Sequence, residues 1–287
     1  MEKINTLFSS DFIKSYQFYS PMLMKTTMFQ FNENSNSWAY LDNVLIAQLI
    51  HASGSKRILD FGCYLGIMPL LVEDILRTSN SNAADDLKWT LVDNFMFTKA
   101  AKNDLAFPTR ISKFWNEFVE MFPWAEGLPI PPVNEVELLE FLTAINNQFG
   151  APTVGLKIFS SIQTQTEQFD LISFDLSADN FDDNIIAFKE AIALLKDGGL
   201  IVMDDVKPLH PSQLAIFVYA ITNNLDLHPF AFGRNKVVLL KSNIESKQSR
   251  IDNILENLHI GYNPDLFFWT LYNNPIFGKC IKLRIHK

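Results

Sequence analysis

The length, composition and charge of the chain exclude several classes of protein. It has 287 residues, 48% of them hydrophobic, which is enough to bury a globular core of ordinary size. The formal net charge is -8 at pH 7, and the sequence pI is about 5.1. Because the chain is this acidic and has no cluster of Lys and Arg, we do not expect a nucleic-acid partner.

The cysteines and the lengths of the apolar runs indicate the cellular compartment of the protein. Cys63 and Cys280 are too few for a disulfide framework and lack the paired spacing of a zinc site, so a reducing compartment is expected. Residues 1–17 carry charges where a signal peptide needs an apolar run, and no segment approaches the ~18 apolar residues of a membrane span. We therefore expect a cytoplasmic protein with no membrane partner.

Hydrophobic periodicity predicts alternating helices and strands along most of the chain. Apolar residues recur at helical spacing over Trp38–His51, Ile67–Leu76 and Asn184–Lys196, with Asp197-Gly198-Gly199 as the stop of the last helix. Short apolar runs predict strands at Lys56–Phe61, Trp89–Asp93, Leu156–Ser160, Phe169–Asp175 and Leu200–Met203. Leu227–Phe232 and Lys236–Lys241 flank a short turn and predict a hairpin. The expected fold is α/β, with a Rossmann-like, doubly wound and mostly parallel sheet of seven strands.

The segments outside this alternation suggest a division of the chain. We expect an N-terminal helical cap over residues 1–50, a core over 51–242 and a helical, aromatic C-terminal extension over 243–287. Residues 101–150 combine several prolines with two helical, aromatic-rich pieces, which indicates an insertion over the strand ends. We interpret this insertion as a lid.

Candidate binding residues follow the strands, because an open parallel sheet binds ligands outside the carboxyl ends of its strands. In Asp60-Phe61-Gly62-Cys63-Tyr64-Leu65-Gly66, the glycines allow close approach of backbone to a ligand, and Asp60 can accept hydrogen bonds from a ligand amine or from water. The spacing matches neither a GxGxxG turn nor a P-loop. After the second strand, Asp93 is placed to accept hydrogen bonds from both hydroxyls of a ribose.

Taken in order, these landmarks resemble those of class I S-adenosylmethionine-dependent methyltransferases. The resemblance runs from Arg57 to Lys241 and includes FDLISFD at 169–175 and LLKDGGLIVMDDV at 194–206. Tyr64 in place of a middle glycine is similar to the small-molecule O-methyltransferases of the catechol and caffeoyl-coenzyme A type. The fold and the activity of that family are therefore expected here.

The resemblance implies S-adenosyl-L-methionine as the cofactor and a set of residues to bind it. Asp93 then binds the ribose, and Ser160 or Ser161 lies by the adenine. Cys63 is expected to serve as a small packing residue, because no base stands beside it in sequence. The implied cofactor-binding residues are Asp60, Gly62, Cys63, Tyr64, Gly66, Asp93, Asn94, Ser160, Ser161 and Asp175.

The same resemblance implies a divalent metal ion, Mg²⁺, bound by Asp175, Asp204 and Asp205. Three carboxylates at adjacent strand ends repel one another unless a hard cation or protonation relieves them. Two features depart from the family: the loop after Asp175 is longer, and the lysine expected three residues after it is Ala178. The alternative is that the three acids only solvate the open end of the sheet.

His210 is the candidate catalytic base, together with Asp175 as a catalytic residue. It follows the fifth strand, and an imidazole there could accept the proton of an attacking hydroxyl or amine. The alternative is that His210 caps the helix beginning near Pro211.

The expected function is methyl transfer to a hydroxyl of a small metabolite, with an amine or a carbon as less favoured acceptors. The alternatives are a different use of the cofactor, such as cyclisation, and a non-catalytic binding module. An NAD-linked oxidoreductase is disfavoured because the GxGxxG turn is missing. The expected partner is a small-molecule substrate, and a homodimer is one alternative for assembly.

Overall fold

In the computed structural model, most of the predicted core is described. The described residues are 38–78, 82–96, 98–99, 125–149, 155–162, 166–176, 181–206, 210–223, 225–233, 236–258, 267–275 and 278–285. Most of the predicted N-terminal cap, residues 1–37, lies outside them. So do residues 101–124, which carry most of the aromatic side chains of the predicted lid.

Helices and strands alternate over the described residues, as the hydrophobic pattern predicts. The helices are α1 Trp38–Ser53, α2 Met68–Thr78, α3 Glu135–Phe149, α4 Phe181–Leu194, α5 Pro211–Thr222 and α6 Ile244–Glu256. The strands are β1 Arg57–Phe61, β2 Lys88–Val92, β3 Gly155–Phe159, β4 Phe169–Phe174, β5 Leu195–Met203, β6 Leu227–Gly233, β7 Lys236–Lys241, β8 Phe267–Asn274 and β9 Gly278–Ile285. In the part of the chain described, no helix is long and apolar enough to cross a membrane.

The strands form one sheet in the order β3-β2-β1-β4-β5-β7-β6-β9-β8. The first five of these pair in parallel, whereas β7 runs antiparallel to both β5 and β6. This confirms the predicted α/β class and the mostly parallel sheet. The predicted number of seven strands is wrong, because the C-terminal extension contributes β8 and β9, and β9 pairs in parallel with β6.

Helices cover both faces of the sheet, so the central strands are buried on two sides. Two successive residues of β1 show this. Ile58 belongs to the core on one face of the sheet, which α1, α2, α3 and α6 cover. Leu59 belongs to the core on the other face, which α4 and α5 cover. Four side chains of α3 are fully buried in the first core: Leu138, Phe141, Leu142 and Ile145. This end of the predicted lid is therefore a crossover helix packed on the sheet.

The Asp197-Gly198-Gly199 segment lies within a strand, not at the end of a helix as predicted. Helix α4 ends at Leu194, and Leu195 already pairs with Phe169 of β4. The next described pair joins Leu171 to Leu200, so β5 carries extra residues in a bulge. A Cβ on Gly199 would lie 2.9 Å from the Lys196 carbonyl oxygen and 3.0 Å from that of Asp170, which explains the glycine.

Gly62 is the point where the loop after β1 crosses the end of β4. Its φ is +87°, and a Cβ there would lie 1.6 Å from the carbonyl oxygen of Asp175. The Asp175 N–H donates to the Phe61 carbonyl oxygen at 2.9 Å, which ties the two strands together just before the crossing. The glycine therefore makes room for protein backbone. The close approach of a ligand that the sequence suggests at this loop stays a prediction.

Replacing Gly62 with Ala should destabilise the protein far more than the same change at Gly54. Both glycines have positive φ, but nothing lies within 4 Å of a Cβ at Gly54. Gly54→Ala should lower the free energy of unfolding by about 1 kcal/mol, from backbone strain. Gly62→Ala adds a backbone collision, so a loss of about 4 kcal/mol or more is expected in urea denaturation. Equal losses in the two variants would show that the crossing is not tight.

Candidate active site

Five strand ends meet at one edge of the sheet, and each is followed by a predicted site residue. Phe61 pairs with Val92 and with Phe174, Val92 with Phe159, and Phe174 with Met203. The residues that follow these positions are Gly62, Asp93, Ser160, Asp175 and Asp204. The strand order reverses between β1 and β4, which is where open α/β sheets bind ligands.

The edge divides at the Gly62 crossing into two groups of residues. We call the first the glycine half; it comprises the loop Gly62–Gly66, Asp93 and Ser160, after β1, β2 and β3. We call the second the acid half; it comprises Asp175, Asp204, Asp205, His210 and Lys236, around the ends of β4 and β5.

Asp93 fastens the glycine loop to the end of β2. Its Oδ2 accepts a hydrogen bond from the Tyr64 N–H at 2.7 Å, and its Oδ1 accepts one from the Phe95 N–H at 2.7 Å. Burial raises the pKa of Asp93, while these two N–H groups and Lys99 oppose the rise. Each carboxylate oxygen can accept a second hydrogen bond, so the fastening leaves capacity for a ligand.

Asp60 lies beneath the glycine half and is 2% exposed. Burial, and then the negative charge of Asp93, raise its pKa to about 7, against the lowering effects of a Ser173 hydrogen bond and of Lys236. Asp60 therefore exchanges a proton near neutral pH. Its carboxyl is nearly enclosed by protein, and the contact with a ligand amine that the sequence suggests stays a prediction.

Packing accounts for three other residues of the glycine loop. Cys63 is 8% exposed, and burial is the largest cause that raises the pKa of its thiol well above the usual range, as expected of a packing residue. Tyr64 has φ +51° and is half-buried against the core. A Cβ on Gly66 would lie 2.9 Å from Leu91 Cδ1, so this glycine allows the loop to pack on the sheet.

The predicted adenine end of the site is organised by a residue that the sequence did not single out, Glu135. Its Oε1 accepts a hydrogen bond from the Ser160 N–H at 2.8 Å, and the side-chain interaction with Ser160 is the largest cause of a lowered Glu135 pKa. Ser160 itself is exposed and Ser161 half-buried. Asn94 is exposed, and its Oδ1 accepts the Met96 N–H at 2.9 Å. Glu135 was missed because its segment was assigned to the lid.

Negative charge concentrates in the acid half. Burial is the largest cause that raises the pKa of Asp175 well above its ordinary value, although solvent reaches this side chain. The charge of Asp204 raises it further, Lys236 opposes this, and Asp205 and Asp60 add smaller effects in the raising direction. The carboxylates predicted at the ends of β4 and β5 therefore do influence one another.

The acid half does not fit the predicted Mg²⁺. Asp204 Oδ1 accepts the Asp205 N–H at 2.6 Å, and Asp204 Oδ2 forms an ion pair with Lys236. Asp205 Oδ2 lies 3.5 Å from His210 Nδ1. Over the described ranges, no three His, Cys, Asp or Glu side chains are grouped so that they could hold one metal ion. Two of the three predicted ligands, Asp204 and Asp205, thus already have partners within the protein.

His210 occupies the N-cap position of α5, but its side chain makes no capping hydrogen bond. The imidazole is instead directed to Asp205, a residue with φ +55°, and only 12% of the His210 side chain is exposed. The capping alternative therefore does not describe this side chain. At 3.5 Å this is a contact between charged or polar groups and not a hydrogen bond, and it sets a carboxylate beside the candidate base.

Lys236 is the second residue of the site that the sequence did not single out. It begins β7, and the antiparallel pairing of Val237 with Met203 places it beside Asp204. Its side chain is 8% exposed. The signal was present in the predicted hairpin, because a strand antiparallel to β5 begins at the edge where β5 ends.

Comparison with known proteins gives limited further information. No family profile matches the chain, and no curated protein matches it in sequence. Solved structures similar to it include the O-methyltransferase NovP, at 11% identity and a TM-score of 0.46, covering 71% of this chain and 80% of that one. Rv0187 from MTB, solved with its cofactor, has 12% identity and a TM-score of 0.47, covering 82% and 92%.

A third solved structure is the O-methyltransferase from Bacillus cereus in complex with SAH, at 10% identity and a TM-score of 0.45, covering 82% of this chain and 92% of that one. At these identities and scores the likeness carries no weight for function, which must be argued from the residues of this chain.

Asp60→Asn should flatten the decline of stability with rising pH. A pKa raised from 3.8 to about 7 means that folded Asp60 holds its proton more tightly than unfolded Asp60. Its stabilising effect is complete below the unfolded pKa and is lost as pH rises through 7. Between pH 5 and pH 8 the wild type should therefore lose about 2 kcal/mol more of its unfolding free energy than Asp60→Asn does.

Urea denaturation at several pH values measures this difference. Asp182→Asn, on the exposed first turn of α4, is the matched control and should keep the wild-type slope. Parallel curves for Asp60→Asn and the wild type would contradict the raised pKa.

Proposed function

We propose that the chain is an S-adenosylmethionine-dependent methyltransferase that acts on a hydroxyl of a small molecule. The observation that carries the proposal is the Asp93 carboxylate, which holds the glycine loop at 2.7 Å beside the point where the strand order reverses. A carboxylate there has the chemistry to accept hydrogen bonds from ribose hydroxyls. On the other side of the Gly62 crossing lies the imidazole of His210, beside the Asp205 carboxylate.

The glycine half fits the cofactor in three respects. Asp93 can accept hydrogen bonds from the ribose in addition to those from Tyr64 and Phe95. Ser160, held by Glu135, is the candidate for the adenine end. The loop Gly62–Gly66 is the candidate for the methionine end. When bound, S-adenosylmethionine supplies an electrophilic methyl group on a sulfonium.

The acid half supplies the groups that prepare the acceptor. His210 accepts the proton of the acceptor hydroxyl, which raises the nucleophilicity of its oxygen. Asp205 Oδ2, 3.5 Å from His210 Nδ1, places a carboxylate beside the imidazole. Asp175 accepts a hydrogen bond from the acceptor and thereby positions it. The rest of the rate enhancement comes from holding the oxygen in line with the methyl group.

Calorimetry with S-adenosylhomocysteine (SAH), the demethylated product, tests cofactor binding directly. The wild type should bind SAH, and Asp93→Ala should weaken binding roughly 10- to 100-fold, the value of hydrogen bonds to a charged group. Asp93→Ala should weaken an SAH analogue without ribose hydroxyls less than it weakens SAH, because loss of the loop hydrogen bonds affects both ligands and loss of the ribose contact affects SAH alone.

This double comparison separates ribose binding from a general disturbance of the loop. If Asp93→Ala weakens SAH and the analogue by the same factor, Asp93 serves the loop and not the ribose. If the wild type binds neither SAH nor S-adenosylmethionine, the proposed function is wrong.

His210→Gln should lower methyl transfer without changing affinity for SAH. With an acceptor identified from a panel of hydroxylated small molecules, kcat/KM should fall roughly 100-fold or more, as for loss of a general base. The matched control is His228→Gln on β6. The His228 imidazole lies 2.8 Å from the Ser242 carbonyl oxygen and is remote from the strand ends that form the site. The control should keep its turnover, and unchanged turnover in His210→Gln would exclude this base.

A further inference from the structure

The observation that leads further is a nearly buried ammonium group among carboxylates. The Lys236 side chain is 8% exposed, and its Nζ pairs with Asp204 Oδ2. Lys236 also acts electrostatically on Asp60 and on Asp175, in both cases against the effects of burial and of neighbouring acids. One cation thus influences carboxylates after β4 and β5 and within β1.

The register of β7 positions the Lys236 ammonium at the site. Strand β7 begins at Lys236, and its antiparallel register with β5 sets that residue beside Asp204. The other Asp204 oxygen is taken by the Asp205 N–H at 2.6 Å, so both oxygens of this carboxylate have partners. A divalent ion bound to Asp204 would lie close to the Lys236 ammonium, and the two positive charges would repel each other.

We propose that Lys236 is the resident cation of the acid half and does the work of a divalent metal ion there. It neutralises Asp204 and moderates the repulsion among the acids at the strand ends. The acceptor side of the site then functions without a metal. The consequence for turnover rests on the proposed methyltransferase function, whereas the consequence for stability does not.

Thermal unfolding of four proteins tests the charge role. Lys236→Met keeps the length of the side chain and removes its charge, and it should lower the Tm by about 10 °C, as expected when one member of a buried pair is lost. Lys236→Arg should keep most of the wild-type Tm. Lys236→Met combined with Asp204→Asn should recover most of the loss, because both charges are then absent.

A control pair on the same strand distinguishes this coupling from a general sensitivity of β7. The Lys241 ammonium donates to the carbonyl oxygens of Ile192 and Leu195, at 2.9 and 2.7 Å. Lys241→Met combined with Asp204→Asn should therefore show additive losses. Additive losses in the Lys236 pair as well would overturn the proposed charge coupling.

Salt and divalent ions provide the readout that a purely structural lysine would not change. The Tm of the wild type and of Lys236→Arg should be indifferent to EDTA and to millimolar Mg²⁺. The Tm loss in Lys236→Met should shrink as the NaCl concentration rises, because salt screens the repulsion among acids that have lost their internal cation. A wild type that responds to Mg²⁺ or to chelation, or a Tm loss in Lys236→Met that does not depend on salt, would refute the proposal.

Turnover connects the methyltransferase proposal with the Lys236 proposal, and different results would contradict each of them. If SAH binds and methyl transfer occurs, EDTA should leave the wild-type rate unchanged, and loss of that rate would refute the metal substitution. If SAH does not bind, the methyltransferase proposal fails, and the Tm experiments still decide the role of Lys236.

Discussion

The arrangement of the site depends on one crossing of backbone, where Gly62 passes over the carbonyl group of Asp175. There is no space for a side chain at that point, since even a methyl carbon would overlap the carbonyl oxygen. Because β1 and β4 are adjacent parallel strands, the crossing joins the two halves of the edge through main chain alone. The spacing between the halves is therefore set by covalent geometry and sheet register, which vary little with side-chain motion.

The electrostatic state of the edge is a compromise between stability and chemistry. Burial raises the pKa values of Asp60, Asp93 and Asp175, so each charged form opposes folding near neutral pH. Such strain is typical of sites that bind or react, where perturbed carboxylates gather. Lys236 limits the strain with one positive charge. Asp205 differs from the other acids in lying beside an imidazole, with its Oδ2 3.5 Å from His210 Nδ1.

Local sequence patterns predicted the site residues whose positions depend only on the strand that precedes them. Asp93, Asp175 and Asp204 were found because each follows an apolar strand, and parallel strands end at one edge. Lys236 was missed although the hairpin that carries it was predicted, because the pairing of β7 with β5 is a long-range contact that the hairpin alone does not specify. The glycines after Asp197 could equally end a helix or form a bulge, and only the pairing of β5 with β4 decides between them. Helix α3 was assigned to a lid because the prolines before it resemble an insertion.

The position of Lys236 late in the chain has a consequence for the protein while it is being made. Strands β1, β4 and β5 emerge from the ribosome before β7. Asp60, Asp175 and Asp204 are therefore outside the ribosome before the Lys236 ammonium is. A nascent chain that has docked its first five strands holds these acids together without their counter-charge. Pairing of β7 with β5 supplies it, so the site is complete only after the β6–β7 hairpin has docked.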